Sequence, residues 1–538
     1  MYYKKRRGRH GFTPKPEAQP SFIPPSVGGV NALDSVANMA PNECIYTYNL
    51  MPSEYGLRLR AGYREWANGL PSQSNTLIAY EGLAGDGNED RLWAVCAEGI
   101  YNITLLNTTA PVQDVAFTVN VTGEAGYGVW TQFINTSDDH YLFYADAENG
   151  LHLYTESTQT WSVPAITGVD PTKIAYVLSW KNRLWMIEQD SGVAWYLPVD
   201  AIAGAAQQFT FGADLRYGGE LKALYNWTID GGDGLDDYLV GVGRGGDVLV
   251  YRGSDPSSPE FSRVGSWNIG DIPGGRRGGV AHGGDLYLLS VFGITSLRDL
   301  LQGSEVSSEN VKGPSAKINR FLRSDILADK EDFSWSLSSN PSDGAIVVVT
   351  PYSVQAEAIQ YVKNMLTGAW GMWRGVPAHC VSKWDGSFYF ADTEGRVWLY
   401  DGFLDGSLLD GTEGKDIDYQ TLTSFQNLGG PHGVNKMVGV VRTQGVLSGS
   451  TNLTTSVVYD YDVGASMPFP SVSPAYGDSL WDASVWGVAT WAGGLRKGEY
   501  TAGVSGHGFS VAVGIRGTAT SRINLVGWDL TFKTGGLM

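Results

Sequence analysis

Between about residue 90 and residue 402 one arrangement of apolar and polar positions recurs: a short apolar strand, a Gly turn and a second apolar strand. It reads RLWAVCAEGIYNIT from Arg91, HYLFYADAENGLHLYT from His140, NRLWMIEQDSGVAWYL from Asn182, DYLVGVGRGGDVLVYRG from Asp237 and SFYFADTEGRVWLYDG from Ser387. Alternating apolar residues flank a Gly able to take a positive φ, which is how a tight antiparallel hairpin is written. The turn residues Gly99, Gly150, Gly192, Gly246 and Gly293 stand about 42 to 54 residues apart, the repeat of a four-stranded propeller blade. The reading is an all-β chain: a β-propeller of about six or seven blades over residues 31–401, its first and last strands sharing a blade to close the ring.

Two stretches depart from the repeat. GPSAKINRFLRSDILADK, from Gly313, sets Ile318, Phe321, Leu322 and Ile326 at helical spacing behind a Pro-Ser start and predicts one short inserted helix. Beyond Gly402 a charged, Gly-rich connection leads into QTLTSFQNLG, NKMVGVVRTQGV, TTSVVYDYDV, FSVAVGIRG and INLVGWDLTFKTGG. These runs alternate without the blade turn, so residues 402–538 read as a separate β-sandwich-like domain. At the other end residues 1–30 are basic, then rich in Pro, and form an arm. Lys4, Lys5, Arg6, Arg7 and Arg9 are candidate contacts to nucleic acid or to an acidic partner, beside the plainer reading as a solvated tail. Trp481, Trp486 and Trp491 in WDASVWGVATW are either packing residues or partner-contact anchors.

Composition sharpens this. At 538 residues the chain exceeds what one hydrophobic core organises. Its net charge of −18 disfavours tight duplex binding, which depends on Lys and Arg neutralising phosphates. Cys44, Cys96 and Cys380 lie inside apolar strand-like runs and read as buried thiols, not as a disulfide framework. No apolar stretch follows the basic N-terminus as in a signal peptide, and no run approaches a membrane span.

The search for chemistry is mostly negative. Gly241, Gly243 and Gly246 match GxGxxG by letter, but a strand follows, so no helix N-terminus is there to hold a pyrophosphate. His379 and Cys380 are neighbours in an apparent strand and point to opposite faces, which argues against a catalytic pair. Asp230, Asp233, Asp236 and Asp237, with Asp86, Glu89 and Asp90, sit in acidic Gly-rich loops that fit no defined calcium spacing and read as solvated turns. No catalytic residue, metal or cofactor is expected.

The run ECIYTYNLMPSEYGLRLRAGYREWANGL, from Glu43 to Leu70, carries Asn49, then Gly62 and Tyr63, then Trp66 and Gly69. It resembles the opening of tail nozzle or hub proteins of short-tailed bacteriophages, the tail tubular protein B or packaged-DNA stabilisation type. The helix at Gly313 to Lys330 is similar to that group's mid-chain helix. NPSDGAIVVVTP, NMLTGAWGMWRG, FYFADTEGRVWLYDG and YQTLTSFQNLGGPHGVNKMVGVVR resemble its last blades and its passage into the terminal sheet. The resemblance implies a structural virion protein, made in the host cytoplasm and built into the phage tail. It further implies a homo-hexameric ring below the head-to-tail adaptor ring, with tail fibres or spikes attached and DNA passing through without sequence-specific binding. The terminal domain and Glu43 to Leu70 would then build the ring platform. Six copies at −18 each carry about −108, a charge that repels a sliding phosphate backbone. The rival expectations are a glycan-active propeller using acidic loops, and a receptor-binding propeller without chemistry.

Overall fold

The computed structural model describes residues 17–82, 89–117, 123–230, 235–304, 306, 312–351, 358–429, 433–447, 451–464 and 496–537. Among these residues the chain is all-β, with two α-helices, α1 (Leu297–Leu301) and α2 (Asn319–Ala328). None of the described helices is long and apolar enough to cross a membrane.

Strands consecutive in sequence pair antiparallel into a series of sheets. The first sheet holds Ser74–Tyr80, Arg91–Cys96, Gly99–Asn102 and Val112–Ala116. The second holds Val129–Ile134, His140–Asp146, Gly150–Thr155 and Thr160–Ser162. The third holds Ile174–Trp180, Arg183–Glu188, Val193–Tyr196 and Gln207–Thr210, and the fourth Leu221–Asp230, Leu235–Gly243, Asp247–Arg252 and Ser262–Asn268. Gly279–His282, Asp285–Ser290 and Gly293–Ser296 make the fifth, and Ser336–Asn340, Ala345–Val349, Ile359–Asn364 and Trp370–Arg374 the sixth. The seventh, Cys380–Trp384, Ser387–Ala391 and Val397–Leu399, is completed by Tyr63–Ala67 from the far N-terminal side.

Turn chemistry explains the hairpins. Gly150, Gly246 and Gly293 hold φ of 73°, 81° and 100°, where a Cβ would be strained. Gly192 does not: in its turn Asp190 takes the left-handed conformation at φ 51°. Gly192 is needed instead for close approach, since a Cβ there would meet Gly212 Cα at 2.8 Å. Lys181 and Asn182, at φ 49° and 54°, form the two-residue turn between the paired Trp180 and Arg183, the handedness that suits twisted strands.

The first strand of each sheet packs against the first strand of the next, and Cys380–Trp384 of the seventh packs against Ser74–Tyr80 of the first. No single core serves the series; a separate buried cluster lies between each neighbouring pair. Trp93 and Tyr144 belong to the cluster between the first and second sheets, Phe143 and Met186 to the next, Trp185 and Leu239 to the third. Trp227 and Leu288 follow, then Ile294 and Ile346, Val347 and Phe390, and finally Ala391 with Leu77. Both faces of each sheet are therefore covered, which is why Ala345–Val349 is buried at every position and reads as a continuous apolar run. The predicted helix is present: Ile318, Leu322 and Ile326 are buried between the fifth and sixth sheets, whereas Phe321 is exposed.

Strands from the two ends of the chain share a further core. Gln19–Ile23, Leu50–Ser53 and Gly56–Leu59 join Val434–Leu447, Arg496–Gly503 and Ile523–Leu537 in a six-stranded sheet. Facing it, Glu43–Tyr48 pairs with Lys415–Thr423, which pairs with Val511–Ala519 and so with Thr451–Tyr459. Ile23, Leu57, Tyr419, Val441, Val513 and Trp528 meet between the two layers. Glu43–Tyr48, Lys415–Thr423 and Leu404–Ser407 also link the sixth and seventh sheets into one 14-stranded, nearly closed, barrel-like sheet.

Gly62 marks where the chain passes between these parts: a Cβ there would lie 2.1 Å from the Leu404 carbonyl oxygen. Gly62→Ala is expected to destabilise the protein by about 1–3 kcal/mol in urea unfolding. Gly503→Ala, where a Cβ meets nothing within 4 Å, is expected to be nearly neutral.

Candidate functional site

Two polar assemblies are candidates, one at the joint between the two-layered part and the sheet series, the other where the first strands converge.

The joint is organised by Asn49, which follows Glu43–Tyr48 and holds φ 62°, a conformation Asn tolerates better than most residues. Its Nδ2 donates to the carbonyls of Arg374 at 2.9 Å and Asp418 at 2.7 Å. Its Oδ1 accepts from the Arg374 amide and from Arg60 Nε, both at 2.8 Å. Arg60 is 1% exposed and grips Asp405 with two parallel bonds, Nη1 to Oδ1 at 2.7 Å and Nη2 to Oδ2 at 2.6 Å. Burial opposes the charge on Arg60, but the field and hydrogen bonds of Asp405 outweigh it and hold the guanidinium pKa above its ordinary value.

Neighbouring residues continue the clamp. Tyr63 donates to the Gly375 carbonyl at 3.1 Å, and its ring meets Phe390 and Trp398 edge-on at 5.2 Å. Trp66 Nε1 donates to the Ile103 carbonyl at 2.8 Å. Gly69, at φ 83°, leaves room for the Thr109 carbonyl, 2.3 Å from where a Cβ would stand. The joint opens onto a polar cleft of about 710 Å³ lined by, among others, Arg374, Asp392, Glu394, Arg396, Asp405, Glu413, Asp416 and Asp418. Several of these carboxylates already have structural work. Asp418 pairs with Arg374, and Asp392 accepts from the Glu394 and Arg396 amides and Trp398 Nε1.

The second assembly lies where the first strands converge. Arg277, just before the fifth sheet, donates to the Asn75 carbonyl at 2.9 Å and Thr76 Oγ1 at 3.2 Å in the first. His379 Nε2 lies 3.0 Å from the Tyr127 hydroxyl and 3.2 Å from Asn75 Oδ1, while its buried Nδ1 has no partner among the described residues. Burial, with the positive charge of Arg277 adding to it, pushes the His379 pKa down to about 4. Beside this group Lys222 reaches Glu220 at 3.1 Å and Glu124 at 3.4 Å, and Arg276 reaches the same two carboxylates at 3.6 and 3.4 Å. A small space of about 10 Å³, lined by Lys222 and Arg276 and by apolar residues of the fourth and fifth sheets such as Val242 and Leu288, lies beside them, room for about one water. This assembly braces the first, second, fourth, fifth and seventh sheets against one another.

The sequence-level candidates fall as follows. Lys4, Lys5, Arg6, Arg7, Arg9, Trp481, Trp486, Trp491, Asp86 and Asp233 lie outside the described residues, as do the side chains of Asp230 and Asp236. Asp237 accepts from Thr228 at 2.7 Å across two paired strands, and Asp90 accepts from the Gly82 amide at 2.7 Å. Among the described residues no group of three or more His, Cys, Asp or Glu is placed to hold a metal ion. Gly241, Gly243 and Gly246 lie in the hairpin of the fourth sheet. Cys44, Cys96 and Cys380 are all buried and free. His379 and Cys380 turn to different partners, and the Cys380 thiol, pushed up to about 11 by burial, donates to the Ser74 carbonyl at 3.1 Å. Sequence reasoning named Asn49, Gly62, Tyr63, Trp66 and Gly69 only as carriers of a resemblance and missed Arg60, Asp405, Arg277 and Tyr127. Isolated Arg and Asp residues 345 positions apart carry no local signal that they will pair.

No family model and no curated protein matches the chain. Among solved structures it is similar to the computationally designed Ika8 protein at 10% identity, covering 63% of this chain and 99% of that one, with a TM-score of 0.34. A likeness that low carries no argument about fold or function.

Arg60→Met is expected to cost about 3–5 kcal/mol in denaturant unfolding, because it strands Asp405 without its cation. Asp405→Asn, which keeps the shape, should cost less. His379 gives a pH signature. With a folded pKa of about 4 below an unfolded value near 6.5, its contribution is intact above pH 6.5 and lost as pH falls toward 4. By pH 5 the loss from this group should reach about 2 kcal/mol. His379→Gln is expected to flatten the stability curve between pH 6.5 and 4 relative to the parent.

Proposed function

We propose that the chain is a structural subunit of the tail nozzle or hub ring of a short-tailed bacteriophage. In this reading the seven sheets are the blades of a β-propeller closed by Tyr63–Ala67, and the two facing layers are the platform through which copies meet each other and the adaptor ring. The observation that carries it is the joint. Of the residues on which the resemblance rests, Asn49, Gly62 and Tyr63 bind or pack at the joint, while Trp66 and Gly69 fasten the seventh sheet to the first. A part that transmits load between a ring and a projecting body needs such a rigid connection. The acidic balance, −18 per copy, fits a conduit past which a phosphate backbone slides without adhering. Fibres or spikes would attach to loops of the sheet series, far from the adaptor.

A second reading has one feature in its favour, the open acidic cleft at the joint, which a glycan-active propeller would use. It requires surface polysaccharide to be cleaved by the purified chain, and cleavage to be lost in Glu394→Gln. Electron microscopy of the purified protein, alone and with an adaptor ring, tests the structural reading. A sixfold ring is the expected image, and a monodisperse monomer under both conditions would refute it.

A further inference from the structure

We propose that neighbouring copies are joined by strand exchange: Gln19–Ile23 of one copy, with the basic segment that precedes it, lies on Ile523–Leu537 of the next. The inference rests on the ring-forming reading above and names the contact through which the facing layers of adjacent copies meet.

Gln19–Ile23 is an edge strand held from one side. Among the described residues it pairs with Ile523–Leu537 alone, from Gln19 opposite Phe532 to Ile23 opposite Trp528. Its fit there is specific. Ile23 is 1% exposed and enters the core between the two layers, while the Phe22 ring lies over Gly527, 2.4 Å from where a Cβ would stand. The slot is shaped for this strand, whichever copy supplies it.

The connection permits exchange. Downstream the chain is fastened to its own copy: the Gly28 amide donates to the Asn42 carbonyl at 2.7 Å, and Gly29 and Val30 pair with Glu43 and Cys44. Between that anchor and the strand stand Pro24 and Pro25, which have no N–H to tie them down and whose fixed φ suits an extended link. An edge strand on such a short, stiff hinge is exchanged at little cost, because every contact it makes is kept. Three residues, Ile23 to Pro25, span about 10 Å when extended, so exchange requires the facing layers of two copies to touch directly.

Charge selects exchange over return to the same copy. Residues 1–23 hold six Lys and Arg against Glu17 alone, a net of +5, which leaves −23 on residues 24–538. Kept on its own body, the segment leaves two copies meeting at −18 each. Passed to a neighbour, it becomes the one oppositely charged element that crosses the contact, and it sets attraction against the repulsion between bodies of the same sign. The donated strand and the accepting strand edge are different surfaces, so repeated donation runs head to tail and closes as a ring.

Pro20 and Thr531 stand directly opposite one another and are both exposed. Pro20, lacking an N–H, suits the closer kind of pair that exchanges no backbone hydrogen bond, a separation that a disulfide spans. The test oxidises the full-length double variant Pro20→Cys with Thr531→Cys, compares reduced and unreduced gels, and images the same sample by electron microscopy. The native Cys44, Cys96 and Cys380 are buried and stay in place. A ladder of linked chains that collapses to one band on reduction is the expected result. Coexpressed single variants, one Pro20→Cys and the other Thr531→Cys, should give linked pairs, since neither chain can form this link within itself. Rings whose links all lie within single chains would overturn the exchange while leaving the nozzle reading standing. Chains linked to one another in closed pairs, without rings, would uphold the exchange and overturn the ring. Links within chains and no ring would overturn both.

Discussion

The buried pair of Arg60 and Asp405, oriented by Asn49, is the constraint on which the rest of the molecule depends. The chain enters the sheet series just after Arg60 and leaves it just before Asp405, so the one ion pair ties together entry and exit, 345 residues apart. A fully buried guanidinium is tolerated only with its charge matched and its donors satisfied. Here the fork takes both carboxylate oxygens, the Ala61 carbonyl and the Asn49 side chain. The pair can therefore form only when the two facing layers, the seventh sheet and the end of the sixth are all in place. Its energetic value is less its own attraction than the penalty for any arrangement that leaves one charge stranded.

Closure is the complementary problem. Seven separate clusters between sheets have no common centre, so no sheet is indispensable to all the others, yet the two sheets that flank any opening would each lose one covered face. Tyr63–Ala67 prevents this by completing the seventh sheet from the opposite end of the chain. Such a pairing closes a very long loop, at an entropic cost that grows only slowly with length but must be met before the contacts are gained. Tyr63 and Trp66, with four ring contacts to Phe390, Trp398, Trp384 and Tyr389, supply a concentrated apolar gain for that step.

How much of this was legible in the sequence follows from range. Hairpins are local, so Gly150, Gly246 and Gly293 announced their turns, and the spacing of Ile318, Leu322 and Ile326 announced α2. The same rule misread Gly192, because close approach of another backbone selects for glycine as effectively as a positive φ does. Phe321 fitted the helical spacing yet stays exposed, since periodicity gives a side and not its width. The joint and the convergent polar cluster were not legible from pattern. Arg60 with Asp405, or Arg277 with Asn75, are ordinary residues until the fold brings them together, and only the resemblance drew attention to Asn49 and its neighbours.

The convergent cluster also limits what the sheet series can do. Lys222, Arg276 and Arg277 meet Glu124, Glu220, Asn75 and Thr76 where the first strands approach one another. These bonds run from the fourth and fifth sheets across to the first and second, so they occupy the middle of the closed series. Under the nozzle reading, then, DNA travels between copies, along surfaces that adjacent subunits present to a shared axis, and each sheet series acts as a solid wall element. That places the demand for acidic, weakly adhering surface on the sides of subunits and not on their centres, where the charges are already matched among themselves.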